Sequence, residues 1–434
     1  MADDAAVRAE QVARTSYGRL LALLAAKDGD IETAEDCLAD AFARALQSWP
    51  QSGVPSNPEA WLLTVARNHR HDVRRSAAHR LSDPLDDVVH GGLVQEAQEH
   101  DSDAMPDRRL ALLFVCAHPA IDDAARTPLM LQTVLGFGAD QIARAFAIPT
   151  ATMAQRLVRA KRRIRDAHIP FVIPGQDQMP KRLRPVLEAI YGAYAIDFSI
   201  VAGMEPRESL AAESLHLART LAGLLPLEPE ALGLAALVSL SAARRPARSM
   251  ADDFVPLDEQ DPSLWNAELI AQGERFLRDA RARGRIGRFQ LEAAIQSVHC
   301  ARAVSGVTDW RALRTLHAAL IAIAPTLGAR VAHAAAVGRV AGAMAGIEAL
   351  DAIREDAVSR FQPAWATRAH LLAEAGRASE ALEAYERAIT LTTDDACRKL
   401  LERRRARLPD AAVATPVRAV RVPPASSEPA DERR

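Results

Sequence analysis

Apolar residues recur every three or four positions along most of the chain, the spacing that gathers them on one side of a helix. The first such stretch covers residues 16–49: SYGRLLALLAA, a break at KDGD, then IETAEDCLADAFARALQSW, with Leu38, Ala41, Phe42 and Leu46 on one side. PQSGVPSNP reads as a loop. Ser56 followed by Glu59 forms a capping-box pattern, Pro58 suits a first helical turn, and the helix PEAWLLTVARNHRHDVRRS follows. Periodicity lapses over 77–106, where Asp83, Asp86, Asp87, Glu96, Glu99, Asp101 and Asp103 with a Gly91-Gly92 pair predict an acidic tether. It returns over 107–168 as a small cluster: RLALLFVCAHP, DDAARTPLMLQTVL, ADQIARAFA and TATMAQRLVRAKRRIRDAH. A Pro-rich linker, IPFVIPGQDQMP at 169–180, precedes helices with short turns over 181–408 and a tail, 409–434, expected to be disordered.

Composition supports an all-α fold. At 434 residues, 49% hydrophobic and 25% charged, the chain has the make-up of a globular protein with two or three cores. Aromatics are only 4%, so those cores must be built from Leu, Ala, Val and Ile. Cys37, Cys116, Cys300 and Cys397 are too widely spaced for a zinc knuckle or a disulfide framework, which fits a reduced cytoplasm. The start MADDAAVRAE lacks the basic start and apolar core of a signal peptide, and no apolar run reaches the roughly 18 residues of a membrane span, so neither secretion nor a membrane span is expected. No P-loop, GxGxxG, GxSxG or HExxH is present, so neither an enzyme nor a cofactor is expected. His299, His317 and His333, and the pair His69 and His71, lack metal-ligand spacing, so no metal is expected; Trp265 and Glu268 read as helix packing.

A formal net charge of -2 hides strong local charge. Between Arg108 and Asp166 ten Lys or Arg stand against four Asp or Glu. In the same span ADQIARAF, a tight Ala147-Ile148-Pro149 turn and a helix N-capped by Thr150 have the proportions of a helix-turn-helix, with Ile142, Ala143 and Ala145 inward. The second helix would turn Met153, Leu157 and Ile164 inward. Thr152, Gln155, Arg156, Arg159, Lys161, Arg162 and Arg163 are then donors for phosphates and base edges. A second basic stripe, Arg67, Arg70, His71, Arg74 and Arg75, lies opposite Trp61, Leu62, Val65 and Ala66. Upstream, Glu35, Asp36 and Asp40 with Arg44 form an acidic patch that would repel DNA and invite a basic protein partner.

AEDCLADAFARALQSWP, NPEAWLLTVARNHRHDVRRS and DQIARAFAIPTATMAQRLVRAKRRIR resemble regions 2 and 4 of the extracytoplasmic-function (ECF) sigma factors, over roughly residues 10–168. The likeness is narrower to the group with a C-terminal TPR-like extension. The resemblance implies a subunit that binds core RNA polymerase, recognises promoter -10 and -35 elements and opens the duplex. It implies region 2 over 10–76 and region 4 over 107–168, and no domain for extended -10 contacts between them. Glu35, Asp36, Asp40 and Arg44 would face the β′ clamp helices, with further contacts to the β subunit. Arg67, Asn68, His71, Arg74 and Arg75 would meet the -10 element, Asn68 beside a captured, unstacked base. Thr150, Thr152, Gln155, Arg156, Arg159, Lys161 and Arg162 would meet the -35 element.

Residues 363–391, PAWATRAHLLAEAGRASEALEAYERAITL, follow the TPR pattern: Trp365, Ala369, Leu372, Gly376, Ala381, Tyr385 and Ala388 hold the packing positions. The closing Pro is absent, with Thr393 near its place, and no second copy is as clear. Such a surface suits a protein or peptide regulator of the N-terminal part. Two rivals stay open on the residues alone: a helix-turn-helix operator-binding regulator with a TPR sensor, and a helical scaffold that never touches DNA.

Overall fold

The structure, a computed structural model, describes residues 2–26, 29–81, 108–146, 148–169, 174–175, 178–199, 208–250, 253–354 and 356–408. The tether from 82 to 106, parts of the Pro-rich linker and the tail 409–434 lie outside the described residues. The chain divides into two compact units, Met1–Pro325 and Thr326–Arg434; the division falls inside the segment that periodicity treats as one helical domain.

In the first unit α1 (Ala2–Ala25), α2 (Ile31–Ser52) and α3 (Pro58–Leu81) pack on one another. The helix α3 runs five residues into the stretch read as tether. Leu20, Leu21 and Leu24 meet Ile31, Leu38, Ala41, Trp49, Leu62 and Ala66 in the interior, and Trp49 meets Trp61 edge-on at 5.5 Å. Asp30 caps α2, its carboxylate accepting from Thr33 N at 3.1 Å. Leu46 is 51% exposed, contrary to the inward position expected for it, because Ala45 and Trp49 carry the buried side at that level. The α3 cap falls one residue later than the Ser56 pattern predicts. Asn57 accepts from Ala60 N at 3.0 Å, and Glu59 turns instead to Arg19 at 2.8 Å and to the Ser16 hydroxyl.

Then come α4 (Arg108–Cys116), α5 (Asp123–Thr133), α6 (Ala139–Ala145) and α7 (Thr150–Asp166). Every residue from Leu110 to Cys116 is buried, as befits a helix apolar all round and set among α1, α5 and the next helix, α8 (Met179–Ser199). The unit continues with α9 (Glu208–Leu224), α10 (Pro229–Ala243), α11 (Ala267–Arg281), α12 (Arg288–Cys300), α13 (Arg302–Ser305) and α14 (Trp310–Ile323). Among the described residues the fold is all-α apart from a hairpin of two-residue strands, Ser249–Met250 against Asp253–Phe254. One continuous core joins residues from Ala5 to Ala293, so the two basic elements and the helices after them share a single interior.

The second unit holds α15 (Leu327–Ala341), α16 (Ala343–Asp351), α17 (Gln362–Glu374), α18 (Ala378–Leu391) and α19 (Asp395–Ala406) around its own core. Ala369, Leu372, Ala381, Tyr385 and Ala388 are buried between α17 and α18, while Trp365 is half-buried. Gly376 makes the turn at φ +74°, a conformation open to glycine at little cost. No helix among the described residues is long and apolar enough to cross a membrane.

Candidate nucleic-acid interface and protein-docking face

The α6–α7 segment is built by local rules. Gly138 N–H donates to the Gln141 side chain at 2.9 Å at the start of α6, and Ile148 N–H returns to the Ala143 carbonyl at 3.0 Å to close the turn. Pro149, not Thr150, is the N-cap of α7, because the helix already includes Thr150. Ala145 faces solvent, leaving Ile142 and Ala143 as the buried pair of α6. In α7 the buried side is Met153, Leu157, Ala160, Lys161 and Ile164. Thr150, Thr152, Gln155, Arg159, Arg162 and Arg163 are exposed, a polar and cationic row running the length of the helix.

Two of the expected donors sit differently. Arg156 is half-buried and its guanidinium donates to the Ala124 carbonyl at 3.3 Å. Lys161 is buried, and its ammonium meets Glu35 Oε2 on α2 at 2.5 Å, with the two side chains 9% and 19% exposed. One turn further, Arg165 reaches Glu32 Oε2 at 3.0 Å. Burial pushes the Glu35 carboxyl up from its ordinary range, an effect that Lys161 partly offsets. The spacing could have revealed both. Lys161 lies four residues from Leu157 and three from Ile164, and Glu35 lies four from Ile31 and three from Leu38, so each stands at an apolar-side position.

On α3, Arg67, Asn68, His71 and Arg75 are exposed, and Arg75 Nη2 lies 3.3 Å from His71 Nδ1. The Arg74 side chain is outside the described residues. Arg70 departs from the stripe: it is 6% exposed and donates to the Leu24 carbonyl at the end of α1. It satisfies a carbonyl that the helix terminus leaves open, which is why a cation tolerates that position. On α2, Asp36 is exposed, while Asp40 pairs with Arg44 at 2.7 Å and with His69 Nδ1 at 3.3 Å. The acidic patch therefore divides into an exposed Asp36, an Asp40–Arg44–His69 cluster joining α2 to α3, and a Glu35 taken up by α7.

Two families match within the chain: Sigma-70 region 2 over residues 12–80, which spans most of α1 to α3, and a family of unknown function (DUF6596) over residues 182–281, from α8 to α11. The "Uncharacterized protein R00370" of Rhizobium meliloti is 34% identical over 370 residues, 84% of this chain and 87% of its own. Two relatives from Mycobacterium tuberculosis match about a third of the chain. The "Probable ECF RNA polymerase sigma factor SigI" is 30% identical over 159 residues, 36% of this chain and 53% of its own. The "ECF RNA polymerase sigma factor SigL" is 31% identical over 138 residues, 32% of this chain and 75% of its own. No solved structure matches. The chain belongs to the ECF-type sigma factors, in one family with R00370. It is accordingly not an enzyme but a transcription initiation factor.

Proposed function

We propose that the protein binds core RNA polymerase through the acidic side of α2 and grips promoter DNA at two places. The exposed side of α3, with Arg67, Asn68, His71, Arg75 and, on the sequence pattern, Arg74, takes the -10 element. The row Thr150, Thr152, Gln155, Arg159 and Arg162 on α7 takes the -35 element, with Arg156 and Lys161 joining once free of their present partners. The observation that carries the reading is this row: it stands opposite a buried side of Met153, Leu157, Ala160 and Ile164 with the paired Lys161 among them, and follows a tight turn, in a chain whose first helices match Sigma-70 region 2. Cations there give phosphate grip, and amide and hydroxyl groups read base edges. The helices after α7 modulate access to DNA and polymerase, and the α17–α18 pair offers a surface to a protein or peptide regulator. The setting is the cytoplasm, where core polymerase works.

Reconstituted transcription is the test. Core polymerase with this chain should start at promoters that core alone ignores. Arg159→Glu with Arg162→Glu should abolish that start while co-purification with core is retained. Failure of the wild-type chain to associate with core would remove the reading.

A further inference from the structure

Cations without a counter-charge stand where α10, α12 and α13 meet. Arg244 follows the last residue of α10, His299 and Cys300 end α12, and Arg302 opens α13. Asn266 N–H donates to the Ala243 carbonyl at 2.8 Å, and Arg302 donates to the carbonyls of Asp258 at 3.0 Å and Gln260 at 2.6 Å. The stretch 258–266 is thereby held against the same junction. Arg302 also lies over the Trp265 ring, 5.1 Å from its centroid.

Polar groups at this junction are only partly satisfied. Arg244 donates to the Gln296 side chain, and the two terminal nitrogens of Arg302 go to the carbonyls just named. Among the described residues no partner meets Arg244 Nε, Arg302 Nε, Trp265 Nε1 or Gln260 Oε1, and all four atoms are enclosed. Trp265 is 6% exposed and Gln260 8%. Buried donors and acceptors are nearly always hydrogen-bonded, to protein or to something bound.

Charge selects what is bound. Neither arginine pairs with a carboxylate of the described residues: Glu274, the acid that acts on Cys300, accepts instead from the Ser297 hydroxyl at 2.5 Å. Burial pushes the Arg244 guanidinium down from its ordinary pKa, and the groups that would favour its charge are Cys300 and Tyr194. Burial lifts those two to about 11 and about 12, so both are uncharged at neutral pH. An enclosed cation in such surroundings is costly until an anion joins it.

We propose that Arg244, Arg302, Trp265 and Gln260 form the binding site of a small oxyanion that carries an O–H group, as hydrogen phosphate and 2-hydroxycarboxylates do. The three free N–H groups donate to the anionic oxygens, and Gln260 Oε1, the one free acceptor, takes the ligand's O–H. The seclusion of Trp265 and Gln260 excludes a peptide or a nucleic-acid strand, which needs an open groove. The site lies in and just beyond residues 182–281, the stretch that matches the family of unknown function, and it stands independently of the promoter reading.

The test is titration calorimetry of the full-length chain at neutral pH with inorganic phosphate, glycolate, sulfate and acetate. The first two carry an O–H and the last two do not. Phosphate or glycolate should saturate the chain at one equivalent and bind about tenfold or more tighter than its counterpart without the O–H, and whichever binds tells phosphate from carboxylate. Arg244→Met should weaken that binding by about tenfold or more, and Gln260→Leu should erase the preference for the O–H. Circular dichroism melts show that each variant is folded; should Arg244→Met fail to fold, Gln260→Leu decides alone. Absence of saturable binding by all four anions would overturn the site and leave water as the partner of these groups. Equal binding of all four, or an affinity that neither variant moves, would overturn it too, since anions held loosely by the exposed arginines of α7 behave in that way. Capture of core polymerase tests the promoter reading separately and is unmoved by either variant.

Discussion

A charge on the apolar side of a helix must find a partner or give up its ionisation, and Lys161 and Glu35 find each other across two helices. Residue types were legible in the sequence; partners were not, because an ion pair 126 positions apart leaves no local trace. Arg70 teaches the same lesson. Its spacing with Arg67 and Arg75 is that of a solvated row, yet the end of α1 claims it. His299 offers a measurable consequence of this kind of burial. Its ring stands edge-on to Trp310 with centroids 6.4 Å apart, and burial, reinforced by Arg244, His317 and Arg302, pushes its pKa down to about 3. The unfolded chain takes up that proton near the ordinary value of 6.5, so between the two values it binds more protons than the fold does. Stability from this residue is therefore whole above about pH 6.5 and drains away as pH falls towards 3. At pH 5 the loss should be about 1–2 kcal/mol. Thermal melts at pH 7 and pH 5 should show a smaller acid shift for His299→Asn than for wild type; equal shifts would contradict the assignment.

At the scale of elements, periodicity marked α2, α3, α5, α6 and α7 because each has a well-defined apolar side. Ends were less legible. The cap of α3 moved from Ser56 to Asn57, a neighbour whose side-chain oxygen equally satisfies a first-turn N–H, while α7 opens after Pro149 with no side-chain cap. Close helix crossings were illegible for a simpler reason: glycine in a helix reads only as a weak former. Gly338 and Gly346 let α15 and α16 approach, and a Cβ on Gly346 would lie 2.8 Å from Gly338 Cα and 2.9 Å from Leu371 Cδ1. Overpacking of this kind costs about 1–3 kcal/mol, more than the helix propensity Ala would add. Gly346→Ala should lower the urea midpoint of the Thr326–Arg434 unit and leave the Met1–Pro325 transition in place. A rise in that midpoint would mean the crossing relaxes freely.

For the molecule as a whole, composition separated the tether, the Pro-rich linker and the basic cluster, but it could not show that helices on both sides of them share an interior. That sharing comes from α4 and α10, buried almost all round, whose neighbours are chosen by tertiary packing and not by local sequence. The division that does exist, after Pro325, lies between helices of ordinary composition and leaves no linker signature. The two cores have no residue in common: one ends at Ala293 and the other begins at Val331. Cooperative unfolding follows a shared core, so removing one core should leave the other's transition nearly unmoved. A chain stopped after Pro325 should thus melt in a single step within a few degrees of the corresponding full-length transition. Broad, non-cooperative melting of the truncated chain would show that the C-terminal unit is needed to hold the first together.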